Sequence, residues 1–342
     1  MNTKVIRENI DEAAALIAKG ALVAVPTETV YGLAGNGLDA EAVERIYEVK
    51  GRPEVKPLSL MVPGPEAFEK CCTCVPEAAR VLAKRFWPGP LTIVLPARQE
   101  IPKVVLAGGN TVGLRCPDHP LTLELLRKCG LPLAAPSANP SGAPSPKTAA
   151  EVLGYFEGKI EAVIDGGACG IGLESTIIDL THAPYRILRQ GALPEWDIAA
   201  ALAENMHIIG LTGGTGTGKT TALNVLSEMG ALCLDCDEVY HELTNTSAAL
   251  REAIERRFGS VYGADGRLDR KKLGQVVFSD PRALGELNLI THSFVEEEIK
   301  LRLRRHAMQG GTLAAIDAIA LLESGASRFC TETFGVIAPR ET

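Results

Sequence analysis

Residues 26–60 read PTETVYGLAGNGLDAEAVERIYEVKGRPEVKPLSL and contain the patterns from which the fold class is predicted. Within them, AEAVERIYEVKG carries apolar residues at helical spacing and ends on glycine, which predicts a helix that stops at Gly51. Alternation of such helices with short β-branched runs predicts an α/β fold with a mixed sheet. Frequent prolines and glycines predict long loops that carry function. The β-branched runs include ALVAVP (21–26), LTIVLP (91–96), EAVIDGG (161–167) and STIIDL (175–180).

The composition is that of a soluble globular protein, with 46% apolar and 23% charged residues and a net charge of -7. No apolar run approaches the roughly 20 residues of a membrane span, and the start lacks a signal-peptide core. We therefore expect a cytoplasmic protein without membrane contact. Acidic residues outnumber basic ones in both halves, so strong direct nucleic-acid binding is not expected. The nine cysteines are expected to be free thiols, with a zinc site formed by the two C-x-x-C spacings as the alternative.

The length of 342 residues favours two domains. The pattern changes near residue 206, where MHIIGLTGGTGTGKTT predicts a buried strand, a glycine loop and a helix. The runs ALCLD (231–235), LAAID (313–317) and TFGVIAP (333–339) predict further strands of a parallel, doubly wound sheet. We expect domains at 1–193 and 206–342, joined by a linker helix at 194–205.

Three cations, Lys50, Arg52 and Lys56, are predicted to project from one loop after the first long helix. Such a cluster suits a triphosphate, because charge-assisted bonds to phosphate are strong. A solvated basic surface fits the same spacing equally well.

Other polar side chains stand in loops rich in proline or after strands. Arg115 in GLRCP could clamp a carboxylate through two parallel bonds, or form an exposed salt bridge. Ser137, Asn139 and Ser145 offer hydroxyl and amide groups, which ordinary turn chemistry also explains.

Several long motifs, in order over residues 4–193, resemble the threonylcarbamoyl-AMP synthase family. They are residues 26–60 quoted above, FWPGPLTIVLPA, RCPDHPL, APSANPSGAPSP, GLESTIID and ILRQGA. The resemblance implies that ATP, L-threonine and bicarbonate give threonylcarbamoyl-AMP and pyrophosphate, with Mg2+ as helper. It also implies that tRNA threonylcarbamoyl-transferase proteins consume the product in tRNA modification.

The resemblance carries roles over to individual positions. The positions implied to bind ATP are Lys50, Arg52, Lys56, Thr111, Ser137, Asn139, Ser145 and Arg189. The positions implied to bind L-threonine are Thr29, Met61, Arg115 and Ser175, with Arg115 on the carboxylate. Met61 stands where the family often has histidine, which weakens one expected contact to threonine.

In the second half, Gly213, Gly218, Lys219 and Thr220 fit G-x-x-x-x-G-K-[ST] between a strand and a helix. Backbone donors of such a loop cradle phosphates, the lysine reaches the β- and γ-phosphates, and Thr220 binds Mg2+. The rest of the predicted loop is Gly216, Thr217 and Thr221.

Asp235 and Asp237 follow the second predicted strand, at the edge where ligands bind in such sheets. One of these catalytic candidates could accept a proton from a substrate hydroxyl. Helix capping by either residue is the alternative.

The motifs GLTGGTGTGKTT, LDCDEVYHEL, GRLDRKKLGQVVFSDP, LNLITHSFVEEEI and IDAIALLESG resemble dephospho-CoA kinase. That resemblance implies dephospho-CoA as a further substrate, Asp237 as base and His292 in the acceptor pocket. It implies that Asp235 either binds the metal or supports the residues that do. It stops at TFGVIAPRET, before the family's lid and fifth strand. We therefore expect a truncated P-loop kinase sheet without activity.

Two other functions remain open at this point. Dephospho-CoA phosphorylation could be the main activity in a longer chain. Alternatively, the synthase fold could serve a nucleotide- or RNA-binding regulator without turnover.

Overall fold

The computed structural model describes residues 2–51, 56–214, 216–318, 321 and 325–337. The chain forms two compact units, Met1–Leu202 and Ala203–Thr342. The division falls within a helix over Glu195–Glu204, in the segment where the sequence predicts a linker helix. Among the helices of the described residues, none has both the length and the apolar character that a bilayer crossing requires.

The first unit is built on a sheet of ten strands. These are β1 (Lys4–Ile6), β2 (Val23–Val25), β3 (Gly32–Asn36), β4 (Ser59–Met61), β5 (Leu91–Pro96), β6 (Thr111–Arg115), β7 (Leu133–Ala134), β8 (Ala162–Ile164), β9 (Thr176–Asp179) and β10 (Arg186–Arg189). Their order is β1-β8-β2-β3-β7-β4-β6-β5-β9-β10, with parallel pairs such as β4–β6 and antiparallel pairs such as β5–β6. The prediction of a mixed sheet is confirmed.

The helices of this unit are α1 (Ile10–Ala18), α2 (Ala40–Lys50), α3 (Phe68–Cys71), α4 (Glu77–Phe86), α5 (Pro120–Cys129), α6 (Ala149–Phe156) and α7 (Glu195–Glu204). Helix α1 buries Ile10, Ala13 and Ile17, which recur at the three- and four-residue spacing of one helical face. They join a core cluster that includes Val23 of β2 and Leu126 of α5. Burial of each large aliphatic side chain contributes about 1.5–3 kcal/mol to this core.

Helix α2 begins and ends where the sequence predicts. The Asp39 side chain accepts hydrogen bonds from the backbone N–H groups of Glu41 and Ala42, which caps the first turn. Gly51 closes the helix with φ 59°, a left-handed conformation that costs glycine little. The helix therefore brings Lys50, its last residue, to a fixed place.

The second unit contains a parallel sheet of four strands, in the order β12-β13-β11-β14. These are β11 (His207–Thr212), β12 (Leu232–Asp235), β13 (Leu313–Asp317) and β14 (Glu332–Gly335). The helices are α8 (Lys219–Glu228), α9 (Cys236–Thr246), α10 (Ala248–Phe258), α11 (Arg270–Val277) and α12 (Pro281–Met308). The predicted parallel sheet is confirmed.

Strand β14 differs from its predicted extent at 333–339. It covers Glu332–Gly335, because it pairs with Ile209–Thr212 and β11 ends at Thr212. Residues 338–339 of the predicted strand lie outside the described residues. All four residues of β14 are exposed, as the edge position predicts.

We predict opposite stability effects for two glycine-to-alanine changes in the first unit. A Cβ at Gly37 would lie 2.8 Å from the Pro132 carbonyl oxygen and 2.6 Å from Leu60 Cδ2. Gly37→Ala should therefore cost about 1–3 kcal/mol of unfolding free energy through overpacking. Gly154, within α6, has open space around its would-be Cβ, so Gly154→Ala should add about 0.5–1 kcal/mol.

Urea unfolding followed by tryptophan fluorescence measures both effects, because Trp87 and Trp196, the two tryptophans of the chain, belong to the first unit. Equal midpoints for the Gly37 variant and the wild type would contradict the close packing at that turn.

Candidate functional site

A cavity of about 590 Å³ opens in the first unit above the middle of the sheet. Strands β4, β6, β5 and β9 and the loops around residues 137 and 174 contribute to its wall. The polar and charged lining residues are Tyr31, Lys50, Lys56, Ser59, Thr92, Arg115, Ser137, Asn139, Ser141, Glu174, Ser175 and Arg189. Four of these carry positive charge, so the cavity suits an anionic ligand.

The floor of the cavity is set by strand register. Ser59 and Met61 of β4 pair with Gly113 and Arg115 of β6. A Cβ at Gly113 would lie 3.1 Å from Thr92 Cγ2 and 3.3 Å from Ser59 Oγ. Thr92 and Ser59 both line the cavity. The absence of a side chain at Gly113 therefore leaves these two side chains room to pack side by side on the cavity floor.

Lys50 is buried, with 4% of its surface exposed. Its Nζ donates to the backbone carbonyl oxygens of Ser137 and of Asn139, the latter at 2.6 Å. The Ser141 N–H in turn donates to the Lys50 carbonyl oxygen at 2.9 Å. The predicted projection of Lys50 from a loop is therefore wrong, because Lys50 is the last residue of α2 and its side chain turns onto the 137–141 loop.

Arg115 is 7% exposed and held by three acceptors. Its Nη2 donates to Glu28 Oε1 at 2.7 Å and to Thr29 Oγ1 at 2.8 Å, while Nε donates to the Gly89 carbonyl oxygen at 3.4 Å. Both hydrogens of Nη2 are thus committed. Within the described residues Nη1 has no hydrogen-bond partner, so it is the nitrogen that remains for a ligand.

Arg189 and Glu174 form a second pair of opposite charges on the cavity lining. Its Nη1 forms an ion pair with Glu174, and its Nη2 donates to the Ser175 carbonyl oxygen at 2.8 Å and to Ser175 Oγ at 3.1 Å. Ser145 Oγ donates to Glu174 Oε1 at 3.0 Å. Glu174 therefore connects two of the predicted ATP-binding residues.

Asn139, a residue of the cavity lining, has an unsatisfied acceptor. Its Nδ2 donates to the carbonyl oxygens of Ala143, at 2.6 Å, and Pro140, at 3.1 Å. Its Oδ1 is buried and has no hydrogen-bond partner among the described residues. An unpaired buried oxygen is costly, so this atom fits a hydrogen-bond donor or a cation supplied by a ligand.

Tyr31 lies at the edge of the cavity with its hydroxyl turned away from it. The hydroxyl donates to the Gly167 carbonyl oxygen at 2.8 Å and accepts from the Gly166 N–H at 3.2 Å. Burial is the main cause that raises the pKa of Tyr31 to about 12. The phenol therefore stays protonated and fixes the 166–167 turn.

The structure brings most of the sequence-predicted residues of the first unit to one cavity. Those on its lining are Lys50, Lys56, Met61, Arg115, Ser137, Asn139, Ser175 and Arg189. Thr29 and Ser145 are not lining residues, but each forms a hydrogen bond with one: Thr29 with Arg115, and Ser145 with Glu174. Thr111 begins β6 and is not among the described lining residues. Arg52 lies outside the described residues.

Two carboxylates of the site escaped the sequence reasoning. Glu28 and Glu174 each bond a predicted arginine. The available signal was an acidic residue inside a motif that otherwise contains small or hydroxyl side chains, in PTET and GLEST.

Met61, the departure from the family pattern, is 4% exposed. Its Cε lies 3.2 Å from the position of a Cβ at Gly32. The side chain therefore adds an apolar contact to the cavity floor, where a ring nitrogen would add a polar one.

In the second unit, the predicted phosphate loop runs from the end of β11 to the start of α8. Gly213, Gly216 and Gly218 adopt positive φ values of 149°, 82° and 97°, which glycine tolerates best. Lys219 Nζ donates to the carbonyl oxygens of Gly213 at 2.9 Å and Gly214 at 3.2 Å. Thr217 Oγ1 also donates to the Gly214 carbonyl oxygen, whereas Thr220 and Thr221 are exposed on α8.

The two predicted aspartates of this unit differ in their contacts. Asp235 Oδ1 accepts from the N–H groups of Asp237 at 2.8 Å and Glu238 at 3.2 Å, which caps α9. The capping alternative is thus confirmed for Asp235. Asp237 and His292 both line a second cavity of about 300 Å³.

Asp317, at the end of β13, is a further residue that the sequence reasoning missed. It is 7% exposed, and its Oδ1 has no hydrogen-bond partner among the described residues. Burial raises the pKa of Asp317, Lys219 lowers it, and the charges of Asp235 and Asp237 raise it further. The signal was the aliphatic run LAAI ending on a carboxylate at the sheet edge.

The cysteines of the two C-x-x-C spacings are free thiols. Burial, followed by the charges of Asp235 and Asp237, raises the pKa of Cys236 to about 12. Among the described residues, no group of three or more His, Cys, Asp or Glu side chains could hold a metal ion.

Comparison with known proteins assigns both units. The Sua5/YciO/YrdC family model, described as telomere recombination, matches residues 15–191, and the dephospho-CoA kinase model matches residues 207–342. Threonylcarbamoyl-AMP synthase from Pyrococcus abyssi is 50% identical over 204 residues, which cover 58% of this chain and 60% of the relative. The synthase from Bacillus subtilis is 45% identical over 194 residues, covering 56% of each chain. The chain thus spans between half and two thirds of the length of these relatives.

Solved structures agree with the fold. The structure of P. abyssi Sua5 complexed with L-threonine matches with a TM-score of 0.57 at 31% identity, covering 98% of this chain and 100% of that one. Escherichia coli YciO matches with a TM-score of 0.52 at 25% identity, covering 57% of this chain and 98% of that one. Fold and site together define an α/β protein with a cavity lined by cations and a P-loop unit. The chain belongs to the Sua5/YciO/YrdC family.

We predict that Lys50→Met loosens the 137–141 loop. The change leaves two buried carbonyl oxygens without their donor, which should cost about 1–3 kcal/mol of unfolding free energy. Hydrogen exchange at the Ser141 amide should rise together with that loss. Lys19→Met, at the exposed end of α1, is the matched control and should change neither quantity. An unchanged rate of hydrogen exchange at the Ser141 amide in the Lys50 variant would contradict the role of the Lys50 side chain in holding the 137–141 loop.

Proposed function

We propose that residues 1–193 form an L-threonylcarbamoyladenylate synthase, joined through a linker helix at 194–205 to a dephospho-CoA kinase-like domain at 206–342. The observation that carries the proposal is the cavity that gathers four cations, four serine hydroxyls and an unsatisfied amide oxygen in one family-matched unit. Its volume of about 590 Å³ is within the range of pockets that enclose nucleotide-sized ligands. Relatives named threonylcarbamoyl-AMP synthase support the same assignment.

The substrates are ATP, L-threonine and bicarbonate. The threonine amine attacks the bicarbonate carbon, and water leaves to give a carbamate. A carbamate oxygen then attacks the α-phosphorus of ATP, and the bond to pyrophosphate breaks. Such a displacement depends on positioning and on neutralisation of phosphate charge rather than on a side-chain nucleophile.

Some cations of the cavity would bind ATP, and another would bind L-threonine. Lys56 and Arg189 line it and, with Arg52, would neutralise the triphosphate. Arg115 would take the threonine carboxylate through Nη1, because Nη2 is already bound by Glu28 and Thr29. The L-threonine complex of the P. abyssi structure supports an amino acid as the second ligand.

Mg2+ is proposed as the cofactor of the first unit. Asn139 Oδ1, buried and without a partner, has the oxygen chemistry that Mg2+ prefers. When bound, the ion would neutralise charge on the ATP phosphates. Asn139 would hold it beside the 137–141 loop that Lys50 fixes.

The product would pass to tRNA threonylcarbamoyl-transferase proteins. An activated carbamoyl-adenylate requires an acceptor enzyme, and the net charge of -7 does not favour tight tRNA binding by this chain.

A second candidate activity, dephospho-CoA phosphorylation, is favoured by one specific observation. The buried Asp317 pairs with Leu211 of β11, two residues before Gly213, so its carboxylate lies at the sheet edge from which the phosphate loop starts. The cavity with Asp237 and His292 would receive the acceptor, and Thr220 would help to hold Mg2+. The expectation that this domain is inactive stays a prediction.

We predict that the full chain releases pyrophosphate from ATP only when threonine, bicarbonate and Mg2+ are all present. Each omission removes either a reactant or the charge neutralisation that the displacement needs. A coupled pyrophosphate assay, with mass spectrometry of the adenylate, measures the result. Release no faster than in the threonine-free control would refute the synthase proposal and favour a nucleotide-binding regulator.

We predict that Arg115→Lys raises the threonine KM at least about tenfold and leaves the ATP KM within about threefold. Lysine cannot bond Glu28, Thr29 and a substrate carboxylate from one rigid plane. Arg45→Lys is the matched control, since Arg45 also pairs with a glutamate, Glu161, away from the cavity lining. Equal rises in both KM values would place Arg115 in the ATP site instead.

A further inference from the structure

The Glu28 carboxylate is held at both oxygens inside the first unit. Oε1 accepts from Arg115 Nη2 at 2.7 Å, and Oε2 accepts from the Asp118 N–H at 3.0 Å. The side chains of Arg115 and Glu28 are 8% and 13% exposed. A charged pair so far removed from water keeps its geometry only when further hydrogen bonds fix it.

The backbone around Glu28 is anchored as well. Its carbonyl oxygen accepts from the Ile171 N–H at 2.8 Å, and that of Thr29 accepts from the Gly172 N–H at 2.9 Å. Glu28 therefore stands on a segment that the 171–172 loop holds in place. The carboxylate is a fixed reference point for the arginine.

The remaining anchors of Arg115 are weaker than Glu28. Thr29 Oγ1 is neutral, and the bond to the Gly89 carbonyl oxygen, at 3.4 Å, exceeds the usual length of about 2.7–3.2 Å. A charge-assisted bond is roughly twice as strong as a neutral one. Among the described residues, Glu28 thus supplies the charged anchor of this guanidinium.

From these contacts we propose that Glu28 is a positioning residue, which orients Arg115 so that Nη1 meets the substrate carboxylate. The inference rests on the proposed synthase function. Two effects of opposite sign act at Glu28, because its charge also competes with the substrate for Arg115. Orientation dominates, since a guanidinium that is 7% exposed leaves its buried position for solvent once its anchor is removed.

The test uses the full chain with Glu28→Ala and Glu28→Gln. Glu28→Ala should raise the threonine KM about 10- to 100-fold, as the loss of a hydrogen bond to a charged group typically does, with the ATP KM within about threefold. Glu28→Gln should lie between Glu28→Ala and the wild type, because its amide oxygen can still accept from Arg115. That variant also covers the case in which the alanine protein does not fold.

Glu161 offers a control with the same bonding pattern. Its Oε1 accepts from Arg45 Nη2 at 2.8 Å and its Oε2 accepts from the Leu22 N–H at 2.8 Å, but it does not line the cavity. Glu161→Ala should lower the unfolding midpoint while the threonine KM stays within about twofold of the wild type.

A double-mutant cycle separates an effect through Arg115 from a general one. In the Arg115→Lys background, adding Glu28→Ala should change the threonine KM less than about threefold, because coupled residues are not additive. Additive effects, an unchanged or lowered threonine KM in Glu28→Ala, or the same rise in Glu161→Ala would each overturn the inference. A wild type without threonine-dependent pyrophosphate release would overturn the proposed function as well, so the two failures are distinguishable.

Discussion

Compensation of buried positive charge is the constraint on which the site depends. Lys50 and Arg115 are each less than a tenth exposed, and a buried cation is stable only when acceptors surround it. The acceptors come from distant parts of the chain: Lys50 reaches a carbonyl oxygen 89 residues away, and Arg115 reaches a carboxylate 87 residues away. The hydrogen bonds that stabilise these two buried cations therefore also tie the loops of the cavity to α2 and to the sheet.

Local signals of the sequence predict local features of the first unit. The apolar spacing in residues 40–50 and the glycine that follows predict α2 and its end, because both depend on neighbours within a turn. The contacts of Lys50 and the partnership of Glu28 with Arg115 escape such reasoning, since spacing along the chain carries no information about pairs so far apart. The spacing accordingly predicts that all three cations project from one loop, although Lys50 belongs to α2.

In the second unit, the sequence likewise fails to distinguish two aspartates that have different surroundings. A strand that ends on aspartate predicts either a helix cap or a proton acceptor, and both Asp235 and Asp317 meet that description. Their surroundings differ: Asp235 is bound by the N–H groups of the next helix, whereas Asp317 is buried with an oxygen unpaired. Packing of the sheet decides this difference, and packing is a property of the whole domain.

The contacts of Lys219 bear on the energetics of its phosphate loop. Its ammonium already bonds two carbonyl oxygens of that loop. A phosphate that takes over this cation exchanges one set of hydrogen bonds for another, and frees the carbonyl oxygens of Gly213 and Gly214 for water. The net free-energy gain from any phosphate that binds Lys219 is therefore smaller than that from an ammonium group with no protein partner, because existing hydrogen bonds must first be broken.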